Sequence, residues 1–248
     1  MEINQKNKFC FRRLYRAVKY CVQQNIRELL SRCDMCQQPC QRYTMLCNTC
    51  HADLNTLQLK QYQSNLLNHP LIRRNLPQIH FDKLVSLAPY APPFSLWIGQ
   101  LKYQGRFEVS TLLADVFSDH LKQQLSIEDM PELLLPVPIH SRRLRSRLYN
   151  QSALFGKRLA KRLTIEYRDN VLNKRVNNKQ QVGQTGAQRR RNLKSTFSVD
   201  TKCALPKHVG LIDDVVTTGA TASELARELK KHGVQTVTVL SICLTMPS

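Results

Sequence analysis

No stretch of this 248-residue sequence approaches the roughly 18 to 20 consecutive apolar residues that a membrane span requires, and its opening residues, MEINQKNKFCFRRLY, lack the apolar core of a secretory signal. Both absences set aside a spanning or exported protein, so the chain is expected in the cytoplasm, with the periphery of the inner membrane as the second option. There is no internal repeat and no low-complexity tract, which sets aside solenoids and disordered spacers. A Walker A loop is missing as well. The only Gly-Lys pair, Gly156-Lys157, has Gln151 where the first glycine would stand and Arg158 where Ser or Thr would, which excludes a P-loop hydrolase. Acidic residues are scarce: 18 Asp and Glu face 37 Lys and Arg, a net charge of +19. That imbalance excludes an ordinary metabolic-enzyme surface and points to a polyanionic partner.

The positive charge is concentrated. Residues 141–194 hold sixteen basic side chains, among them Arg142, Arg143, Arg145 and Arg147, against Glu166 and Asp169 alone. Apolar residues make up 42% of the chain, enough for one α/β domain with a small appendage.

Residues 1–32 read as an amphipathic helix, with Leu14, Val18, Val22 and Leu29 at helical spacing and Arg12, Arg16, Lys19 and Arg27 between them. Five of the nine cysteines then fall between Cys33 and Cys50. CDMC and CNTC place Cys33, Cys36, Cys47 and Cys50 in the pattern C-x2-C-x10-C-x2-C, which lets two tight knuckles present four thiolates tetrahedrally to zinc. Four thiolates leave no open coordination position, so such a metal is structural. Cys40 and His51 lie outside the symmetric pairs, yet either can replace a member of the quartet. Cys10, Cys21, Cys203 and Cys243 sit in apolar contexts as small hydrophobes. HADLNTLQLKQYQ reads as a further helix, and the finger with its linker ends near residue 78, after Pro70 and Pro77.

From residue 79 strand-like and helix-like segments alternate: strand 82–89, helices 94–103 and 107–125, strand 133–137, helix 150–163, strand 208–213, helix 221–232 and strand 235–244. This alternation predicts a mostly parallel sheet covered by helices. Phe107, Leu112, Val116, Phe117 and Leu121 make one helix face, and Ala222, Leu225, Ala226 and Leu229 another, before Gly233 stops the helix.

VGLIDDVVTTGAT, residues 209–221, carries the most chemistry. Its apolar run predicts a strand that puts Asp213 and Asp214 at a carboxyl end, where open α/β sheets bind ligands. Beyond them, successive main-chain amides from Val216 to Ala220, the hydroxyls of Thr217, Thr218 and Thr221, and a helix N-terminus converge on one anion, most naturally a phosphate. Gly219 lets the backbone approach closely. Carboxylates accept hydrogen bonds from vicinal hydroxyls, so a ribose carrying a 5-phosphate satisfies both halves of the motif.

This stretch resembles the phosphoribosyl pyrophosphate motif of type I phosphoribosyltransferases. The resemblance implies that Asp213 and Asp214 hold the ribose 2- and 3-hydroxyls and that Thr217 to Thr221 hold the 5-phosphate. Together with the four-cysteine unit, LWIGQLKYQGRFE, LLLPVPIHSRRLRSRLYNQS and QQVGQTGAQRRRNLKSTF, the chain from about residue 30 to 245 is similar to the ComF competence family, which pairs a zinc finger with a phosphoribosyltransferase-like domain. Leu148-Tyr149 stands where that family more commonly has Gly-Phe, and Asn178 and Gln184 stand where Thr and Leu are expected. The resemblance implies a role in natural transformation, moving incoming single-stranded DNA into the cytosol with a helicase-like motor and an inner-membrane DNA channel.

Three readings of function stay open at this point. A phosphoribosyl transfer needs cations around the departing pyrophosphate, with magnesium; Lys102, Arg106, Arg142 and Arg143 are candidates, while no acceptor site is evident. A DNA-binding module would use the basic residues of 141–194, Arg145 and Arg147 included, with Tyr103, Tyr149, Phe155 and Tyr167 as stacking platforms. An adaptor would dock a motor protein through the finger and the N-terminal helix.

Overall fold

A computed structural model describes residues 32–40, 45–76, 79–139, 148–174, 197–200 and 204–246. Apart from Arg32, the helix expected over residues 1–32 lies outside them. The chain divides into two units after Leu54.

In the first unit, Arg32 and Pro39 form an antiparallel bridge around a tight turn that Gln37 closes with φ of 62°. A short helix, α1 (Asn48–Ala52), follows, and the Cys47 thiolate position caps it by accepting from the Cys50 amide at 3.4 Å.

The second unit begins at Asn55, earlier than the boundary near residue 78 read from the prolines. The helix expected in HADLNTLQLKQYQ is replaced by an extended strap, and the reason lies in its donors. The Leu57 amide bonds the Leu87 carbonyl at 2.9 Å, and the Leu59 and Lys60 amides both reach Gln124 Oε1, at 2.9 and 3.2 Å. A single 3-10 turn (Lys60–Tyr62) survives; Leu59 and Leu66 bury their side chains, and α2 (Pro70–Asn75) follows, with Pro at its first position.

The alternating segments build the expected parallel sheet. Strands β1 (Lys83–Pro89), β2 (Leu133–Pro136), β3 (Glu166–Tyr167), β6 (His208–Val216) and β7 (Thr236–Leu244) lie in the order β1-β7-β6-β2-β3, every pair parallel. The near-continuous burial of β1, β2, β7 and the first half of β6 is what a sheet covered on both faces demands. A separate antiparallel pair joins β4 (Leu172–Lys174) to β5 (Phe197–Val199). Neither this pair nor β3 was expected from sequence, since runs of two or three residues carry no periodicity.

Helices α3 (Phe94–Tyr103), α4 (Val109–Gln124), α5 (Gln151–Leu163) and α6 (Ala220–Lys231) complete the unit. On α6 the expected face of Ala222, Leu225, Ala226 and Leu229 is buried. On α4 the expected Leu112, Val116, Phe117 and Leu121 are buried together with Val109 of the first turn, whereas Phe107 precedes the helix, stays 45% exposed and meets Tyr149 edge-on at 4.8 Å. Phe117 of α4 stacks on Phe155 of α5 at 5.8 Å, so Phe155 is a core residue and not a platform for bases.

Chain direction creates a crevice. From β2 the chain runs through α5 to β3 on one side, and from β6 through α6 to β7 on the other. Ligands in open α/β sheets bind at the carboxyl ends beside such a divergence. Here β6 also outruns β2: pairing ends at Pro136 with Ile212, while β6 continues beside β7 to Val216. Its last four residues turn one edge toward the opening.

Candidate functional site

The strand expected over 208–213 extends to Val216, so Asp214 lies within β6 as Asp213 does. They form the floor of a cavity of about 840 Å3, walled by Val137, Pro138 and Ile139 after β2 and by Tyr90 after β1. Asp213 Oδ1 accepts from the Asp214 amide at 2.9 Å and faces Ser152 Oγ at 3.4 Å. Burial, and then the charge of Asp214 beside it, push the Asp213 carboxyl up to about 7. Lys102, in the last turn of α3, places Nζ 2.7 Å from Asp214 Oδ2, with both side chains largely shielded.

After Val216 the chain turns through Thr217 and Thr218 into Gly219, whose φ of 65° suits glycine and which begins α6 without a side-chain cap. A Cβ there would stand 3.3 Å from Leu76 Cδ2 and from Phe81 Cε1, so the turn is pressed against buried apolar side chains. Among the described residues, no main-chain carbonyl accepts from the amides of Thr217, Thr218, Gly219 or Thr221. The Ala220 amide has only a 3.5 Å approach to Thr218 Oγ1. Open donors at the start of a twelve-residue helix, beside two carboxylates, suit a ligand with an anionic end and a hydroxylated end.

Of the residues singled out from sequence, Lys102, Asp213, Asp214, Thr217 and Thr221 line this one cavity. Arg106 is directed elsewhere, donating to Gln100 Oε1 at 2.8 Å and Glu108 Oε1 at 3.0 Å. Arg142, Arg143, Arg145 and Arg147, and the loop 175–192, lie outside the described residues. Gln151, Ser152, Lys174 and Thr245 also line the cavity and were not foreseen as site residues. A signal for the first two existed: Asn150-Gln151-Ser152 opens the helix that follows the second long strand. Asn150 fixes that opening, accepting from the Ser152 amide at 3.0 Å and donating to the Val137 carbonyl at 3.0 Å.

In the first unit the ligand atoms of Cys33, Cys36, Cys47 and Cys50 lie within 4.8 Å of one another, the quartet that the spacing predicted. Thiolates about 2.3 Å from a tetrahedral zinc stand about 3.8 Å apart. Cys36 and Cys47 Sγ are 3.7 Å apart, so the donor set fits the ion. Burial opposes ionisation of Cys33, but the amides of Cys36, Cys47 and Met35 outweigh it and bring the thiol down to about 6. Cys40 and His51 are not members of the cluster. Cys40 is buried and pushed up to about 11, by burial and then by the charges of Cys33 and Cys47. No helix among the described residues is long and apolar enough to cross a membrane.

No family model matches the sequence. A solved hypoxanthine phosphoribosyltransferase from Staphylococcus aureus is similar with a TM-score of 0.32 and 14% identity, covering 54% of this chain and 62% of its own. Among curated proteins, the DNA utilization protein YhgH of Escherichia coli O157:H7 is 34% identical over 174 residues, 67% of this chain and 74% of that protein. Competence protein F of Haemophilus influenzae is 32% identical over 163 residues, 64% of this chain and 71% of that protein. With identity above three residues in ten across more than two thirds of each relative, a four-cysteine cluster and a parallel sheet, this chain belongs to the ComF competence family.

Proposed function

We propose that this protein is a competence factor that handles incoming single-stranded DNA in the cytoplasm, and that its larger unit binds phosphoribosyl pyrophosphate or a related sugar phosphate. One observation carries the ligand reading: the amides of Thr217 and Thr221, residues that line one cavity with the Asp213-Asp214 pair at the divergence of the sheet, have no main-chain acceptor among the described residues, and Thr218 and Gly219 between them have none either. The amides grip the 5-phosphate and the carboxylates accept from the ribose diol. Lys102 and Lys174, both lining the cavity, face the pyrophosphate end, with which magnesium arrives. The names of the relatives, competence protein F and DNA utilization protein, support the cellular role.

A second reading, transfer of the phosphoribosyl group to an acceptor, is favoured by the size of the cavity. At about 840 Å3 it is near the top of the roughly 300–1,000 Å3 range of small-molecule sites, with room for a second molecule. The DNA-binding role is supported by a separate groove of about 450 Å3 along α5, lined by Tyr149, Lys157, Lys161 and Tyr167. A helicase-like motor and an inner-membrane channel are the partners this role requires. The four cysteines hold a structural zinc.

Phosphoribosyl pyrophosphate with magnesium is expected to raise the melting temperature of the parent protein. In the Asp213→Asn/Asp214→Asn variant the shift is expected to vanish. A parent protein that shows no shift at millimolar ligand ends the sugar-phosphate reading.

A further inference from the structure

A second hollow, a groove of about 540 Å3, opens where α2, the connection into β1 and the last turn of α6 meet. Arg73 of α2, His80 of the connection and Lys230 of α6 all line it, one from each element. The backbone around them is fixed. The His80 amide donates to Ser223 Oγ at 3.0 Å, and Asn65 Oδ1, on the opposite strap, accepts from the amides of Leu67 and Leu84 at 3.1 and 3.0 Å.

What the groove offers a ligand is donors. The carboxylate that lines it, Asp82, is already used: Oδ1 accepts from Lys230 Nζ at 2.7 Å and Oδ2 from the Val237 amide at 2.8 Å. Lys230 keeps further N–H donors beyond that pair. The Arg73 guanidinium has no ion pair and no acceptor among the described residues, and neither has the His80 ring a partner there. Arg73 and Lys230 against Asp82 leave the groove positive, so its ligand is an anion. A carboxylate presents two oxygens in one plane, which the guanidinium fork alone saturates. A phosphate group presents three diverging oxygens and so engages the fork, the imidazole N–H and the ammonium together.

We infer that this groove is a phosphate site separate from the cavity of the acidic pair. Two sources share that chemistry: free phosphate or pyrophosphate, and the phosphodiesters of a DNA strand. The inference does not depend on the sugar-phosphate reading. The two sites are nevertheless neighbours, because Phe81, which lines the groove, and Leu76, which follows α2, both press on the Gly219 turn. A phosphate bridging Arg73 and Lys230 ties α2 to α6 across that contact.

His80 reports the groove directly. In NMR spectra of the full chain at constant pH and ionic strength, its ring signal, identified by its loss in His80→Gln, is expected to move as inorganic phosphate is added. Arg73 is exposed, so Arg73→Gln spares the core, and it is expected to weaken that response about tenfold, the value of a charge-assisted hydrogen bond. Arg74→Gln removes the same charge from a residue that does not line the groove, and is expected to change the response by less than about twofold. A second arm replaces inorganic phosphate with a short oligothymidylate. A response to inorganic phosphate assigns the site to a free anion, and a response to the oligonucleotide alone assigns it to the DNA backbone. A His80 signal that stays still in both arms overturns the inference, as does a response weakened equally by Arg73→Gln and Arg74→Gln. Either result leaves the sugar-phosphate reading to its own test with the aspartate pair.

Discussion

Lys102 Nζ sits 2.7 Å from Asp214 Oδ2, so the last turn of α3 and the end of β6 meet in an ion pair inside the cavity. The pair holds an ammonium at the edge of the cavity floor, where the pyrophosphate of the proposed ligand would lie.

Replacing Lys102 with Met therefore separates two ligands. Phosphoribosyl pyrophosphate is expected to bind about tenfold to a hundredfold more weakly, the value of a charge-assisted hydrogen bond. Ribose 5-phosphate, which offers no pyrophosphate, is expected to change by less than about threefold. Equal losses for both ligands in a calorimetric titration would show that the lysine serves only to hold Asp214.

Asp213 makes stability depend on pH in a definite direction. Its folded-state pKa is raised to about 7 from the ordinary value of 3.8. The folded protein then keeps a proton that the unfolded chain has released, so the contribution is fully present below the unfolded value and is lost as pH rises through about 7. His120 and His208 are shifted down by burial and titrate in the same region, so the comparison must be differential. The stability of Asp213→Asn minus that of the parent is expected to rise between pH 4 and pH 7 and to level off above; a flat difference in chemical denaturation would show that the carboxyl is ionised throughout.

The cysteines are expected to divide sharply. Cys33→Ser or Cys50→Ser should lose bound zinc and unfold the first unit, because the metal supplies folding energy there. Cys40→Ser is expected to retain one zinc per chain, measured by metal analysis after gel filtration, since Cys40 is outside the cluster. Loss of metal from Cys40→Ser would place it among the ligands.

For DNA, the exposed pair Lys157 and Lys161 stands one helical turn apart on α5. If each neutralises one phosphate, Lys157→Gln/Lys161→Gln should make the plot of log affinity against log salt shallower by about 1.4 for single strands. An unchanged slope moves the strand to another face of the protein.

Much of this was legible in sequence, for identifiable reasons. The long strands read as continuous apolar runs and the helices α3 to α6 as periodic ones, and the quartet follows from cysteine spacing alone. The strap at 55–62 lies in a run that reads as a helix from sequence, whereas its amides are claimed by Gln124 and by the carbonyl of Leu87. Phe107 lies near the surface although it was expected on a buried helix face, and of the aromatics that could be core or platform Phe155 is core, which depends on where α4 begins and which helix faces it.

By itself the sequence determined the order of elements, the four thiols that meet, and the acidic pair followed by a turn rich in free amides, because each is set by residues close along the chain. Tertiary structure decided that Lys102 reaches Asp214, that β6 outruns β2 to open the crevice, and that Gln151 is buried there with a donor to spare. Those relationships join residues 62 to 112 positions apart, and only the register of the parallel sheet together with the packing of helices on it brings such residues together.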